Sequence, residues 1–275
     1  MLVQAGSVVV FGAAGKTGVA VIRALRGRGA YVRAVVRTPV SPGSDAVGGA
    51  DEVAVADLHD PAATAAALDG AAGAYLMAPN MFDDEPGVIR AIVDSCVRQR
   101  IPRVVYHSVL HPFAPAMPHH LDKAEVESYL HDSDLDWTIL QPASYLENAL
   151  GVWDGLLAGD WPLPYPGSVR FTPVALDDVA AAAARVLTEF GHTHATYELA
   201  GPQDLSTDEM AEQAAAVLGR PIRVRQVESA PDTPARLRAM FDYYARSGFR
   251  GNPRILALLL GRAPTSWRQW LVARA

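Results

Sequence analysis

Val8-Val9-Val10-Phe11 runs straight into Gly12, Gly15 and Gly18, spaced G-x-x-G-x-x-G, and a helical apolar pattern begins at once with Val19, Ala20, Ile22, Ala24 and Leu25. Few local structures satisfy an apolar run, three glycines and a helix start with no spacer between them. The spacing predicts a buried strand over Ser7–Phe11, a tight turn, and a helix over Gly15–Arg26. Gly12 can take the strained turn, Gly15 lets a pyrophosphate approach the backbone, and Gly18 lets the helix pack closely. The first N–H groups of the helix, which have no partner inside it, then face an anion. Ala14, Lys16 and Thr17 share the loop and are assigned to the same phosphate-binding surface. A P-loop is excluded: Gly15-Lys16-Thr17 resembles its end, but the glycine required upstream is replaced by Val10.

Strand and helix patterns alternate from there. Strands are predicted over Tyr31–Val36, Glu52–Ala56, Gly73–Met77, Arg103–His107 and Asp136–Leu140. Helices are predicted over Pro61–Leu68, Glu85–Arg100 and His120–Leu130, with a Pro/Gly/Ser loop over Ser41–Gly49. This order predicts an α/β fold built on a doubly wound parallel sheet of the Rossmann type, with ligands at the C-terminal ends of the strands. Beyond Pro142 the texture changes. Trp161–Gly167 reads as a proline-dense loop, Phe171–Val174, Tyr197–Leu199 and Ile222–Val227 as strands, and Asp177–Thr188, Thr207–Leu218, Pro234–Arg246 and Pro253–Leu260 as helices. We expect residues 1–142 to form the cofactor-binding domain, its sheet completed by 169–200. Residues 143–168 and 201–275 are expected to form a small, mainly helical substrate lobe over the sheet's active edge. A chain of 275 residues, 50% hydrophobic, is long and apolar enough for both.

The end of the second strand bears on the choice of dinucleotide. An Asp or Glu there would bind the ribose 2′-hydroxyl of NAD. The sequence instead runs Val35-Val36-Arg37-Thr38, with no acid. Arg37 can clamp a 2′-phosphate, which points to NADP(H). Asp57, after the third strand, is read either as an acceptor for the adenine amino group or as a helix cap before Pro61.

Taken together, Gly12–Gly18, Arg37, Val55-Ala-Asp57-Leu, Ser108, His119-His120-Leu-Asp-Lys123-Ala-Glu125-Val-Glu127 and Trp137-Thr-Ile-Leu-Gln-Pro142-Ala-Ser-Tyr145-Leu-Glu-Asn148 resemble the NmrA-like group of atypical short-chain dehydrogenases/reductases. Later segments around Asp177 and Pro202 resemble it too, so the likeness spans most of the chain. The resemblance implies NADP(H) on a Rossmann fold with a small substrate lobe. It allows two roles: quinone-type and other NADPH-dependent reductases, and proteins that bind dinucleotide and regulate a partner. Ala78, after the fourth strand, and Pro142 join the cofactor set on this basis. Ordinary members of the wider group use Ser, Tyr and Lys, the last two spaced Tyr-x-x-x-Lys. This chain keeps Ser108 and Lys123 but has His119 where the tyrosine would be, and Gln141 where arginine often precedes the proline.

Lys123 is read as a ribose-binding residue, against the plainer reading of an i,i+4 partner for Glu127. His119 can replace the tyrosine as proton donor, against the plainer reading of an idle loop histidine after Pro118. Ser108 can bond a substrate carbonyl or the ribose, or else satisfies its own turn backbone. Tyr145 can stack on substrate or donate a proton, or else is a core aromatic. The leading expectation is an NADPH-dependent reductase of a small quinone-like or aromatic carbonyl compound. The alternative is a non-catalytic NADP(H)-binding redox sensor that reports to a protein partner. Net charge of −6 and the absence of a long basic run argue against nucleic acid. No apolar run is long enough for a membrane span, and the single cysteine fits a reducing cytoplasm. No spacing predicts a metal site, His192 and His194 included. A homodimer is compatible with all of this.

Overall fold

The computed structural model describes residues 6–275. It is organised around a seven-stranded sheet of order β3-β2-β1-β4-β5-β6-β9. The strands are β1 (Ser7–Val10), β2 (Val32–Val36), β3 (Glu52–Val55), β4 (Ala71–Leu76), β5 (Val104–His107), β6 (Trp137–Pro142) and β9 (Ala195–Leu199). From β1 to β6 every neighbouring pair runs parallel, with Val8 opposite Val32 and Gly73, and Tyr106 opposite Leu76 and Ile139. The connecting helices are α1 (Lys16–Gly27), α2 (Pro61–Ala67), α3 (Glu85–Gln99) and α4 (Pro118–His131). This is the doubly wound α/β arrangement expected from the alternating pattern. β1, β5 and β6 are buried along their whole length, as strands covered on both faces must be. Val9, Phe11, Ile89, Ile92, Tyr106, Val126 and Ile139 belong to one continuous core.

The strand order reverses between β1 and its two neighbours. The chain leaves β1 toward β2 on one side, and β4 continues the sheet on the other, so the loops after β1 and β4 diverge and open a crevice at the strands' C-terminal ends. Pairing persists just past β1, where Phe11 N donates to Tyr75 O at 3.0 Å. The chain then turns sharply through Gly12, at φ +68°.

Two compact units divide the chain. One contains the residues up to Phe113, His119–Gln141 and Val179–Tyr197. The other contains Ala114–Pro118, Pro142–Asp178 and Glu198–Ala275. In the second, α5 (Trp153–Ala158), β7 (Asp160–Leu163), β8 (Arg170–Phe171), β10 (Leu205–Ser206), α7 (Thr207–Leu218), β11 (Arg223–Gln226), α8 (Ala235–Ser247), α9 (Pro253–Leu260) and α10 (Trp267–Val272) surround a core that includes Trp161, Trp267, Trp270 and Met210. α6 (Leu176–Thr188) crosses the boundary. The predicted loop over Trp161–Gly167 is corrected here: its first part is β7, paired parallel with β11, with Pro162 opposite Arg225. In a two-stranded sheet each strand has a free edge, so a proline without an N–H is tolerated. α5 and α10 went unforeseen because each has six residues, too short for a clear helical period.

Gly18 ties α1 to the turn. A Cβ there would strike Gly12 O and lie 2.7 Å from Ala13 Cα. Gly18→Val should therefore lower the urea midpoint of unfolding, reflecting a loss of about 1–3 kcal/mol of stability as overpacking usually costs. An unchanged midpoint would show that the turn yields without cost.

Candidate cofactor and reaction site

The loop after β1 is shaped to present backbone. Gly15 is the N-cap of α1, in extended conformation, and no side chain caps the helix; its first turn holds no acid. By contrast Asp60 caps α2, Ser206 caps α7 and Asn252 caps α9 with side-chain oxygens. An uncapped helix start leaves N–H donors and the positive end of the helix dipole for an outside anion. Ala14, Gly15 and Lys16 are exposed on this loop, whereas Thr17 and Gly18 are buried beneath it. Gly12 faces Met77, whose Cε would lie 2.7 Å from a Cβ at position 12. Ala78, the next residue after Met77, is buried.

Arg37 and Asp57 stand exposed just after β2 and β3. Asp57 Oδ1 accepts from His59 N at 2.9 Å and approaches His59 Nδ1 at 3.3 Å. That backbone bond is the main reason its carboxyl lies below the usual range, with Arg37 contributing. The helix-cap reading of Asp57 is thereby corrected. Asp60 performs the capping, accepting from Ala62 N and Ala63 N at 3.0 Å, because the cap must directly precede Pro61 at the first helical position.

α4 and β5 share a buried polar network. Lys123 Nζ donates to Glu85 Oε1 at 2.7 Å and to His107 O at 3.3 Å. Tyr106 Oη donates to the same Glu85 oxygen at 2.8 Å. One turn further along α4, Glu127 accepts from Ser108 Oγ and from Gln141 Nε2 at 2.9 and 3.0 Å. The i,i+4 reading of Lys123 is thus corrected: its ion-pair partner is Glu85, at the start of α3, while Glu127 turns to Ser108 and Gln141. Burial raises the Glu127 carboxyl, with the bonds from Ser108 and Gln141 opposing. The backbone reading of the Ser108 hydroxyl is likewise replaced by this carboxylate contact. Ser108 N is held by Leu140 O at 2.8 Å.

His119 and His120 belong to the first turn of α4 and are buried, not exposed in a loop. Their rings meet edge to face, with centroids 4.5 Å apart. His120 Nδ1 lies 3.1 Å from His111 O, and burial pushes the His120 imidazole down to about 3. His107, bonded through Nδ1 to Tyr75 Oη, is pushed down to about 3 by burial and by the Lys123 charge. In the second unit, Pro142 is buried at the end of β6, and Tyr145 is half-buried where the chain bridges to Val174. Trp161 and Phe171 are buried there as core. The structure therefore places Ser108 and Lys123 in two adjoining polar chains. It adds Glu85, Glu127, Gln141, Tyr106, His107 and Tyr75, none of which was assigned a site role from sequence. Their contacts span 14 to 38 residues, beyond any local period. The adjacent acids and Gln141 on the motif segments were the only available signals.

The NmrA-like family model matches residues 4–244. The chain belongs to the NmrA-like family. Among characterised relatives, quinone oxidoreductase 2 of Escherichia coli is 26% identical over 273 residues, spanning 94% of this chain and 95% of that protein. An NAD(P)H azoreductase of Xenophilus azovorans is 26% identical over 219 residues, spanning 78% and 75%. The crystal structure of the E. coli NADPH-dependent quinone oxidoreductase complexed with NADPH aligns at a TM-score of 0.85, with 24% identity, over 97% of this NmrA-like chain and 99% of that one. Among the described residues no helix is long and apolar enough to cross a membrane.

The buried imidazoles give the fold a defined acid response. His107 and His120 stay neutral down to about 3 when folded but take up protons near their usual value of ~6.5 once unfolded. Stability should therefore fall as pH drops from 6.5 toward 3. Glu127, raised in the fold by burial, opposes this. The urea midpoint should decline across that range, and His120→Gln should make the decline shallower. A slope unaffected by this substitution would show that His120 is protonated in the folded protein.

Proposed function

We propose that the chain is an NADPH-dependent reductase of small quinone-like, azo or aromatic carbonyl compounds, working in the reducing cytoplasm. The observation that carries the reading is the uncapped start of α1 behind the Gly12–Gly18 turn, with Arg37 in place of an acid after β2. The residues fit a phosphorylated dinucleotide: a helix start with no side-chain cap, no acid in the first helical turn, and a close approach that only glycine at position 18 permits. Gly12, Ala14, Gly15, Lys16, Thr17 and Gly18 would hold the pyrophosphate. Arg37 would fork onto the 2′-phosphate and Asp57 would accept from the adenine amino group. Ala78 and Pro142 would line the cofactor, and Lys123 would hold the nicotinamide ribose. The names of the relatives support both the cofactor and the acceptor class.

When bound, NADPH supplies a hydride from C4 of its nicotinamide. The protein's part is to hold the donor and acceptor together, exclude water and stabilise oxyanion charge as it develops. Lys123, ion-paired with Glu85, supplies that positive charge. His119 and Tyr145 are the candidates for delivering a proton to the reduced oxygen or nitrogen. Residues 143–168 and 201–275 would carry the substrate contacts. Two observations favour the second reading, a dinucleotide-binding sensor for a protein partner: the Ser108 hydroxyl is already donated to Glu127, and histidine occupies the usual tyrosine position.

Purified protein should oxidise NADPH with members of a quinone and azo-dye panel, and Lys123→Met should lose most of that rate. Tight NADPH binding with no turnover on any acceptor would leave the sensor reading. Arg37→Ala should weaken NADPH by tenfold or more, on the order of 1.5–3 kcal/mol for a charged hydrogen bond, and leave NADH nearly unchanged. Equal weakening of both would remove Arg37 from the 2′-phosphate.

A further inference from the structure

We propose that Glu85 is a positioning residue that aims the Lys123 ammonium at the nicotinamide ribose. This rests on the reading of Lys123 given above. Glu85 opens α3, where a carboxylate commonly faces solvent and complements the helix dipole. Here it is only 4% exposed. Burying a carboxylate is costly unless it is paired and hydrogen-bonded. Glu85 meets both conditions through one oxygen, which takes Lys123 Nζ at 2.7 Å and Tyr106 Oη at 2.8 Å. Stability alone is a weak account of such a pair, because apolar replacements of buried ion pairs are often neutral or stabilising.

Geometry supplies a better one. A lysine head on a four-carbon stem turns freely and carries three donors. Two of them are directed by Glu85 Oε1 and His107 O, at the C-terminal end of β5. Two fixed donors leave the third with a fixed direction. Tyr106 braces the carboxylate, and its ring lies 5.6 Å from the same ammonium, so the charge is held from two sides. Lys123 reaches a partner 38 residues away instead of the acid one turn along its own helix. As a result Glu127 remains available to Ser108 and Gln141.

A charge effect and a positioning effect predict opposite results. Removing a buried acid near an anionic cofactor should by charge alone tighten NADPH binding. Losing the aim of Lys123 should loosen the nicotinamide end while the phosphate contacts hold. The full-length protein is therefore compared as wild type, Glu85→Gln, Glu85→Asp, Lys123→Met and the Glu85→Gln/Lys123→Met double variant. The readouts are the fluorescence enhancement of bound NADPH and the single-turnover rate of NADPH oxidation with a quinone. Glu85→Gln should lower the enhancement and slow the rate by about tenfold or more, as misplacement of a reacting group does. Glu85→Asp should recover part of both. In the Lys123→Met background Glu85→Gln should add nothing, because it acts only through that lysine.

Independent, additive losses would overturn the proposal, as would unchanged signals in Glu85→Gln beside a damaged Lys123→Met. A silent Lys123→Met would instead refute the role of Lys123 itself. If Glu85→Gln does not fold, Tyr106→Phe, which removes one bond to the same carboxylate, should shift both readouts in the same direction by less, and its failure to do so would overturn the proposal. Fluorescence reads the geometry even if no acceptor is reduced.

Discussion

The approach of α1 to the turn after β1 is the constraint on which the site depends. Gly12 must turn at positive φ against Met77, and Gly18 must bring the helix against Gly12 O and Ala13. Neither can be relaxed alone. A side chain at position 18 would lift the helix away from the turn, and its first N–H groups would no longer converge above the strand end. The reversal of strand order beside β1 supplies the crevice, and the glycines supply a backbone that can reach into it. The anion-binding character follows from what is absent from the start of α1, which has no capping side chain and no acid. α2, α7, α9 and α10 are capped by side chains, whereas α3, α5 and α8 also lack a side-chain cap, so it is the glycine turn behind β1 that sets α1 apart.

The second constraint is the cost of charge in a buried layer. α4 presents Lys123 and Glu127 one turn apart toward β5 and β6, where Glu127 is buried and Lys123 largely so. Each charge must find a partner there, and the two do so in opposite directions. Lys123 turns to Glu85 and the His107 carbonyl; Glu127 turns to Ser108 and Gln141. Tyr106 on β5 and Ser108, the residue just beyond the strand's end, donate to the two carboxylates respectively. The result is two short polar chains side by side, each with a buried acid at its centre. The low imidazole values at His107 and His120 have the same origin, since burial excludes the charged form.

What the sequence revealed follows from the range of the forces involved. β1, the glycine turn and α1 are local and periodic, so they were readable in the chain itself, as were the alternation and the parallel sheet. Lys123 and Ser108 were legible as candidates because a motif spacing marks them. Their partners were not. Glu85 reads from sequence as an ordinary first-turn acid of α3, and its burial depends on where α4 lies, 38 residues later. Asp57 and Asp60 were confused because two aspartates precede Pro61, and only the backbone bonds separate a cap from an Asx turn. β7 was hidden by Pro162, since proline argues against a strand until its partner and its free edge are known.

These partners also bear on how the site differs from the usual Ser, Tyr and Lys arrangement. With histidine at position 119, the tyrosine of the usual spacing is absent from α4. The Lys123 charge is balanced by Glu85, and a tyrosine, Tyr106, reaches that balancing acid from the strand. Ser108 Oγ, in turn, donates a hydrogen bond to Glu127, so its oxygen remains an acceptor while that carboxylate is ionised. Burial holds the Glu127 carboxyl above its usual range. Protonation of Glu127 would release the Ser108 hydroxyl to donate elsewhere, whereas ionisation keeps it bound. The Ser108 hydroxyl is thus engaged by a carboxyl on α4, through a contact that the serine's own sequence neighbourhood does not contain.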